Sequence, residues 1–168
     1  AMKIPDRHTL LKRGFDAVLI IAVIYALLLA TGTIRRGGHF DEGRPAPDFQ
    51  VQNIQDGEVL SLADFSGKTL VVTFFSTTCP SCKRELPDLH AMKSEAGDEV
   101  EFLIVTNDNP RKVAAYMESK ELDFRVAWDN GNAHDAFAVD TIPYSVVIAP
   151  DGTIRTDVIG ALRMSDIN

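Results

Sequence analysis

The only two cysteines of this 168-residue chain, Cys79 and Cys82, are separated by two residues. At the start of a helix, this spacing puts both sulfurs on one face within disulfide reach. The free N–H groups of the helix N-terminus favour the thiolate of the first cysteine. Pro80 suits a first helical turn, where no N–H is needed. The pattern predicts dithiol–disulfide exchange, in which Cys79 attacks a substrate disulfide and Cys82 resolves the mixed disulfide.

Metal binding is the main alternative use of such a pair. A zinc site needs two more ligands, and none of the four histidines is paired at a metal-binding spacing. Those histidines are His8, His39, His90 and His134. We therefore expect no metal and favour redox chemistry over zinc. A copper-delivery module holding the metal with both thiols and His134 stays an alternative.

The segments around the cysteines predict what positions them. Residues 68–75 form an apolar, β-branched run typical of a strand buried on both faces, and a helical stripe begins at Cys82. A hairpin is predicted around Gly57, and a helix is expected to begin at Pro110. Further strands are expected over 101–106, 124–128, 144–148 and 153–159, with a short helix over 133–138. This alternation predicts an α/β fold with a mixed central sheet flanked by helices.

Composition and charge restrict the class of protein. A hydrophobic share of 45% and a charged share of 24% fit one globular domain, not a disordered chain or a polytopic membrane protein. The net charge of −7 argues against a nucleic-acid partner. Residues 1–36 carry six basic and two acidic side chains, whereas residues 37–168 carry eleven basic and twenty-two acidic ones. The two parts are therefore expected to meet different surroundings.

The basic N-terminal part contains an uncharged apolar run, residues 17–34. As a helix it would span about 27 Å, close to the ~30 Å hydrocarbon core of a bilayer. We predict a transmembrane anchor there, a cytoplasmic segment over 1–16, a linker over 35–48 and a folded domain over 49–168 outside the cytoplasm. A cleaved signal peptide is the alternative, with a small-x-small site at Ala30–Gly32.

Three segments carry a resemblance: Phe74–Pro87 around the cysteines, Thr141–Tyr144, and Val147–Gly152. Together they resemble the membrane-anchored, thioredoxin-like family of bacterial periplasmic thiol-disulfide oxidoreductases, which includes cytochrome c maturation and copper-site reductants. The chain is also similar to the thioredoxin-like protein of methylamine dehydrogenase maturation. The resemblance implies a thioredoxin-like fold without a cofactor, attached to the inner membrane by one helix and facing the periplasm. It implies client proteins with disulfides or dithiols, such as apocytochrome c or a copper-site protein, and a membrane electron donor.

The resemblance also implies residue roles. Cys79 matches the family's nucleophile, Cys82 its resolving thiol, and Pro143 a cis proline that lies against the CxxC. Glu85 matches an acidic residue near the active site, although an ordinary exposed glutamate of the first helical turn is an equal alternative. The residues implied to contact the substrate are Ile142, Pro80 and Ser81.

Departures from the family pattern limit these expectations. Thr73 stands where thioredoxin has a buried carboxylate, and Thr78 stands where most relatives have tryptophan. A peroxidase is disfavoured because Val72 replaces the proline that its motif requires. A disulfide-forming oxidase of the same fold stays an alternative, because CxxC letters alone do not set the potential. Only Ser165–Asp166 could begin a final helix, so we expect apolar strand faces left uncovered, with either a longer natural chain or self-association.

Overall fold

The computed structural model describes residues 18–25 and 40–167. Contacts divide the chain into residues 1–36 and 37–168. In the first unit residues 18–25 are helical, and their large apolar side chains are exposed. Within the described ranges, no helix has the length and apolarity that crossing a bilayer requires. The predicted cytoplasmic segment, most of the predicted anchor and most of the linker lie outside those ranges, so the anchor stays a prediction.

The second unit is built on a seven-stranded sheet in the order β2-β1-β5-β4-β3-β6-β7. The strands are β1 (Gln50–Asn53), β2 (Val59–Ser61), β3 (Thr69–Phe74), β4 (Val100–Thr106), β5 (Arg125–Trp128), β6 (Tyr144–Ile148) and β7 (Ile154–Ile159). β4 pairs in parallel with both β3 and β5, whereas the other four pairings are antiparallel. The predicted mixed sheet is therefore confirmed, including the hairpin around Gly57, whose φ is +80°.

Within residues 40–167, four α-helices accompany the sheet. They are α1 (Pro80–Ala96), α2 (Pro110–Ser119), α3 (Asn132–Ala136) and α4 (Met164–Ile167), with short 3-10 turns at Leu62–Phe65 and Gly97–Glu99. Both α1 and α2 begin with a proline, Pro80 and Pro110, as the sequence predicts. Asn109 caps α2 because its side chain accepts hydrogen bonds from the N–H groups of Arg111 and Lys112. Cys79 holds the equivalent capping position of α1.

Strand β3 lies at the centre of the fold and all six of its residues are buried. Its side chains alternate between the two faces of the sheet. Val71, with Phe75 just beyond the strand, packs in the cluster that contains Cys82 of α1. Leu70, Val72 and Phe74 pack on the opposite face. Burial on both faces explains why four of the six residues of β3 are apolar, and it fixes the strand that leads to Cys79.

The C-terminal segment, as far as residue 167, does not leave apolar strand faces uncovered, contrary to the expectation from the sequence. All five residues of β6 are buried, and so are the inner residues of β4, so the expected uncovered apolar face is wrong. Helix α4 is short, but its Ile167 is buried in the same cluster as Leu162 and Val158. The guanidinium of Arg155 donates to the Ile167 carbonyl. Within residues 40–167, Val59 is the single large apolar side chain that is exposed, which gives self-association through the sheet faces no basis.

Candidate active site

The cysteine pair lies where the central strand gives way to α1. Cys79 and Cys82 form a disulfide, with their Cα atoms 5.3 Å apart. The backbone N–H of Cys82 donates to Cys79 Sγ at 3.2 Å, so this sulfur acts as the cap of the helix. Cys79 is partly exposed, whereas Cys82 is only 2% exposed. In the reduced protein the same N–H group and the helix dipole would stabilise a thiolate at Cys79.

A second loop lies against Cys79 Sγ, the sulfur predicted to attack the substrate. The Ile142–Pro143 peptide bond is cis, as the resemblance implies. Cys79 Sγ lies 3.8 Å from the carbonyl oxygen of Ile142. The N–H of Gly160 donates to the Pro143 carbonyl at 2.8 Å, which ties the loop to the end of β7. The structure thus places Ile142 and Pro143 beside the sulfur that a substrate must reach.

The two residues between the cysteines lie on the same surface. Pro80 is exposed in the first turn of α1. Ser81 is partly exposed, and its hydroxyl oxygen lies 3.1 Å from Cys79 Sγ. All three residues predicted to contact the substrate, Pro80, Ser81 and Ile142, therefore lie next to the Cys79 sulfur.

Glu85 is buried, with 5% of its surface exposed. Its Oε1 accepts a hydrogen bond from the N–H of Leu162 at 3.0 Å, whereas Oε2 has no partner among the described residues. Burial raises the pKa of the Glu85 carboxyl, and the negative charge of Asp88 acts in the same direction. The alternative of an exposed first-turn glutamate is therefore wrong. The side chain lies one turn from Cys82 on the buried side of α1.

The position of thioredoxin's buried carboxylate holds hydroxyl groups in this protein. Thr73 Oγ1 lies 2.9 Å from Ser145 Oγ, and both side chains are buried. Thr73 is two residues from both Val71 and Phe75, so it faces the same side of the sheet as they do, which is the side that α1 covers. A neutral hydroxyl pair thus occupies this position, whereas the buried carboxyl of Glu85 lies on α1.

Asp108 is a residue of this site that the sequence analysis missed. Its carboxylate accepts from the N–H of Thr77 at 2.6 Å, from the Thr77 hydroxyl at 2.7 Å and from Ser76 Oγ at 3.1 Å. Burial alone would raise the pKa of Asp108, but these hydrogen bonds outweigh it and the pKa is lowered. An ionised Asp108 therefore fixes the loop that delivers Cys79 to the helix. The signal that could have found it is its position just beyond β4, because Ser76 lies just beyond β3, the parallel neighbour of β4.

His134 does not join the cysteines as a metal ligand. Its Nδ1 lies 2.6 Å from Oδ2 of the buried Asp129, and its ring packs edge-on against Phe74 with centroids 4.9 Å apart. In the part of the chain that the structure describes, no group of three or more His, Cys, Asp or Glu side chains could hold a metal ion. The geometry therefore lends no support to the copper-delivery alternative at His134.

Known structures place this arrangement in a class of proteins. The chain is 28% identical to a thiol:disulfide interchange protein of the thioredoxin family from Chlorobium tepidum TLS, with a TM-score of 0.64. The match covers 76% of this chain and 92% of that one. The fold is thus thioredoxin-like, with a mixed sheet flanked by helices.

Sequence relatives narrow the class to a family. Residues 43–157 match the AhpC/TSA family. The chain is 32% identical to the thiol-disulfide oxidoreductase ResA of Oceanobacillus iheyensis, over 88% of this chain and 79% of that protein. It is 27% identical to ResA of Bacillus subtilis, over 96% of this chain and 90% of that protein. The chain belongs to the AhpC/TSA family and is a thiol-disulfide oxidoreductase of the ResA type.

The different exposure of the two sulfurs predicts selective alkylation. In the reduced protein at neutral pH, iodoacetamide should modify Cys79 at least tenfold faster than Cys82, because Cys79 is accessible and its thiolate is stabilised by the helix N-terminus. Mass spectrometry of the digested protein measures both modifications. Labelling in denaturant is the control and should remove the preference. Equal labelling in the folded protein, or faster labelling of Cys82, would contradict the assignment.

Proposed function

We propose that this oxidoreductase reduces a disulfide in a client protein, with Cys79 as nucleophile and Cys82 as resolving thiol. One observation carries the proposal: Cys79 Sγ caps α1, is partly exposed, and lies 3.8 Å from the Ile142 carbonyl next to the cis Pro143. An extended client segment is proposed to pair with the backbone beside Ile142, because that loop lies against Cys79 Sγ. Pro80, Ser81 and Ile142 are the residues proposed to contact that segment.

The proposed reaction transfers two electrons from the enzyme dithiol to the client. The Cys79 thiolate attacks one client sulfur, which breaks the client disulfide, forms a mixed disulfide and releases a client thiolate. Cys82 then loses its proton and attacks Cys79 Sγ, which releases the second client thiolate. The client leaves with both sulfurs reduced and protonated. The enzyme keeps the Cys79–Cys82 disulfide, the state that the structure contains.

Glu85 is proposed to take the proton of Cys82 during resolution. Cys82 is buried and needs a base before it can attack, and Glu85 is a buried carboxyl one turn along the same side of α1. Its raised pKa makes it a better proton acceptor than a solvated carboxylate. The Thr73–Ser145 hydroxyl pair cannot accept a proton at neutral pH, so the strand offers no equivalent base.

The cellular setting is part of the proposal. We infer a single-pass anchor over residues 17–34 in a bacterial inner membrane, with residues 1–16 in the cytoplasm, 35–48 as a linker and domain 49–168 in the periplasm. The uncharged run and the contrast between a basic N-terminal part and an acidic remainder support it. In an oxidising compartment a membrane electron donor must return the enzyme to the dithiol. Apocytochrome c and dithiol copper sites are the clients that the resemblance supports.

The oxidase alternative has one observation in its favour. A cap that stabilises the Cys79 thiolate also stabilises the reduced enzyme, and that makes a couple more oxidising. The reduction potential of the Cys79–Cys82 couple, measured against glutathione or dithiothreitol, separates the two directions. For a reductant we expect a value near that of thioredoxin, about −270 mV. A value near the DsbA potential of about −120 mV would reject the reductase and favour the oxidase.

A further inference from the structure

A groove of about 500 Å³ runs between α1 and α2 and begins one residue after Cys82. Its apolar walls are Pro87, Tyr116 and Leu122, and its charged rim includes Lys83 and Lys120. Lys83 is four residues from Cys79, about 6 Å along the helix axis. Lys83 therefore places the groove near the end of α1 that carries Cys79.

The charge of this groove is opposite to that of the domain around it. Lys112 and Tyr116 are four residues apart on α2 and so lie along one side of that helix, and Lys120 is the residue that caps its C-terminal end. The Lys83 ammonium lies 5.4 Å from the centroid of the Tyr116 ring. This cation–π contact brings the lysine of α1 close to the lysines that flank Tyr116. Glu121 is the single acidic residue lining the groove.

Two of these lysines, Lys83 and Lys120, do not balance a carboxylate of the described fold. In the described part of the chain, neither Lys83 nor Lys120 takes part in an ion pair, whereas Lys68 and Lys93 pair with Glu101 and Asp123. Lys112 acts electrostatically on Asp108, so it also links this side of α2 to the Cys79 loop. Residues 37–168 carry twice as many acidic as basic side chains, and against that background three lysines around one tyrosine form a local positive site.

We propose that this groove binds an acidic segment of the protein partner whose disulfide or dithiol reacts at Cys79. The carboxylates of the segment would pair with Lys83, Lys112 and Lys120, while its apolar side chains pack against Pro87, Tyr116 and Leu122. The inference rests on the proposed exchange reaction and adds the chemistry of the partner. Apolar walls together with a positive rim fit a peptide segment, in which apolar and acidic side chains can alternate.

Three model peptides that share one disulfide and differ in flanking residues test the proposal. The flanks are glutamates, serines or lysines, and reduction by the fully reduced protein is followed at low ionic strength. We expect the glutamate-flanked peptide to react at least about threefold faster than the lysine-flanked one, because local charge governs encounter rates. The net negative charge of the domain alone predicts the reverse order. A faster lysine-flanked peptide in the wild-type protein therefore overturns the proposal.

Charge-matched variants locate the effect. The double variant Lys83→Gln/Lys120→Gln should lose the preference for the acidic peptide. Arg44→Gln/Lys68→Gln removes the same charge near the end of the sheet where β3 begins, away from Cys79, and should keep the preference. The preference is a ratio within one protein, so a general change in reactivity cancels, and an unchanged ratio in the groove variant counts against the groove. Failure of the proposed function looks different: no peptide would be reduced, although the small neutral hydroxyethyl disulfide would still oxidise the enzyme.

Discussion

Cys82→Ser should convert the enzyme into a trap for its partners. Cys79 keeps its position as the cap of α1 and can still attack, but no second thiol is present to release the client from the mixed disulfide. We expect covalent adducts to accumulate by at least tenfold over the wild-type level. Non-reducing electrophoresis of membranes from cells that produce the full chain measures them, and dithiothreitol should dissolve them.

The matched control for the trap is Cys79→Ser, which leaves Cys82 as the only thiol. Because Cys82 is 2% exposed, it should form almost no adduct. Equal trapping by the two variants would contradict the assignment of Cys79 as nucleophile. Mass spectrometry of the trapped species names the client and therefore also tests the proposed apocytochrome c and copper-site partners.

Glu85→Gln should change how stability depends on pH. Burial raises the pKa of Glu85 in the folded protein above its ordinary value of 4.5, so the folded state holds this proton more tightly than the unfolded state does. The resulting contribution to the free energy of unfolding is complete below pH 4.5 and is lost as the pH rises through the folded pKa. The glutamine variant has no such loss, because its amide does not titrate.

The measured quantity is the free energy of unfolding of the variant minus that of the wild type, from urea titrations at several pH values. Between pH 4 and 7 this difference should become more favourable to the variant by on the order of 1 kcal/mol, the scale of an unsatisfied buried polar group. Glu95→Gln, on an exposed position of the same helix, is the control and should give a difference that hardly changes with pH. A flat difference for Glu85→Gln would show that Glu85 is not a titrating buried acid.

Much of the fold could be predicted because its strongest signals are local. The continuous apolar run before Cys79 indicates a central strand, and the proline and CxxC positions indicate where α1 begins. The periodicity of α1 is also consistent with the burial of Glu85, because residues 82, 85, 86 and 89 have the spacing of one side of a helix. The prediction left Glu85 open because glutamates of a first turn are ordinarily solvated, and only the packed fold shows Leu162 above it.

The features that could not be predicted depend on contacts between distant parts of the chain. Asp108 reaches Thr77 across 31 positions of sequence, and this contact follows only once the pairing of β3 with β4 is known. The groove is also a product of packing, because Lys83 and Tyr116 come from different helices. The C-terminal expectation failed for a similar reason: four residues of helix suffice where Ile167 and Leu162 fit into an existing cluster.

The hydroxyl pair at Thr73 and Ser145 has a consequence for protein engineering. With no acid in the central strand, the proposed nucleophile, the proposed resolving thiol and the buried carboxyl all lie within the seven consecutive residues from Cys79 to Glu85. The reactive groups thus form one short continuous segment that could be transferred to another protein. In another protein with a thioredoxin-like sheet, this segment would need two contacts from the host. One is a carboxylate like Asp108 that holds the loop before Cys79, and the other is a backbone N–H in the position of Leu162.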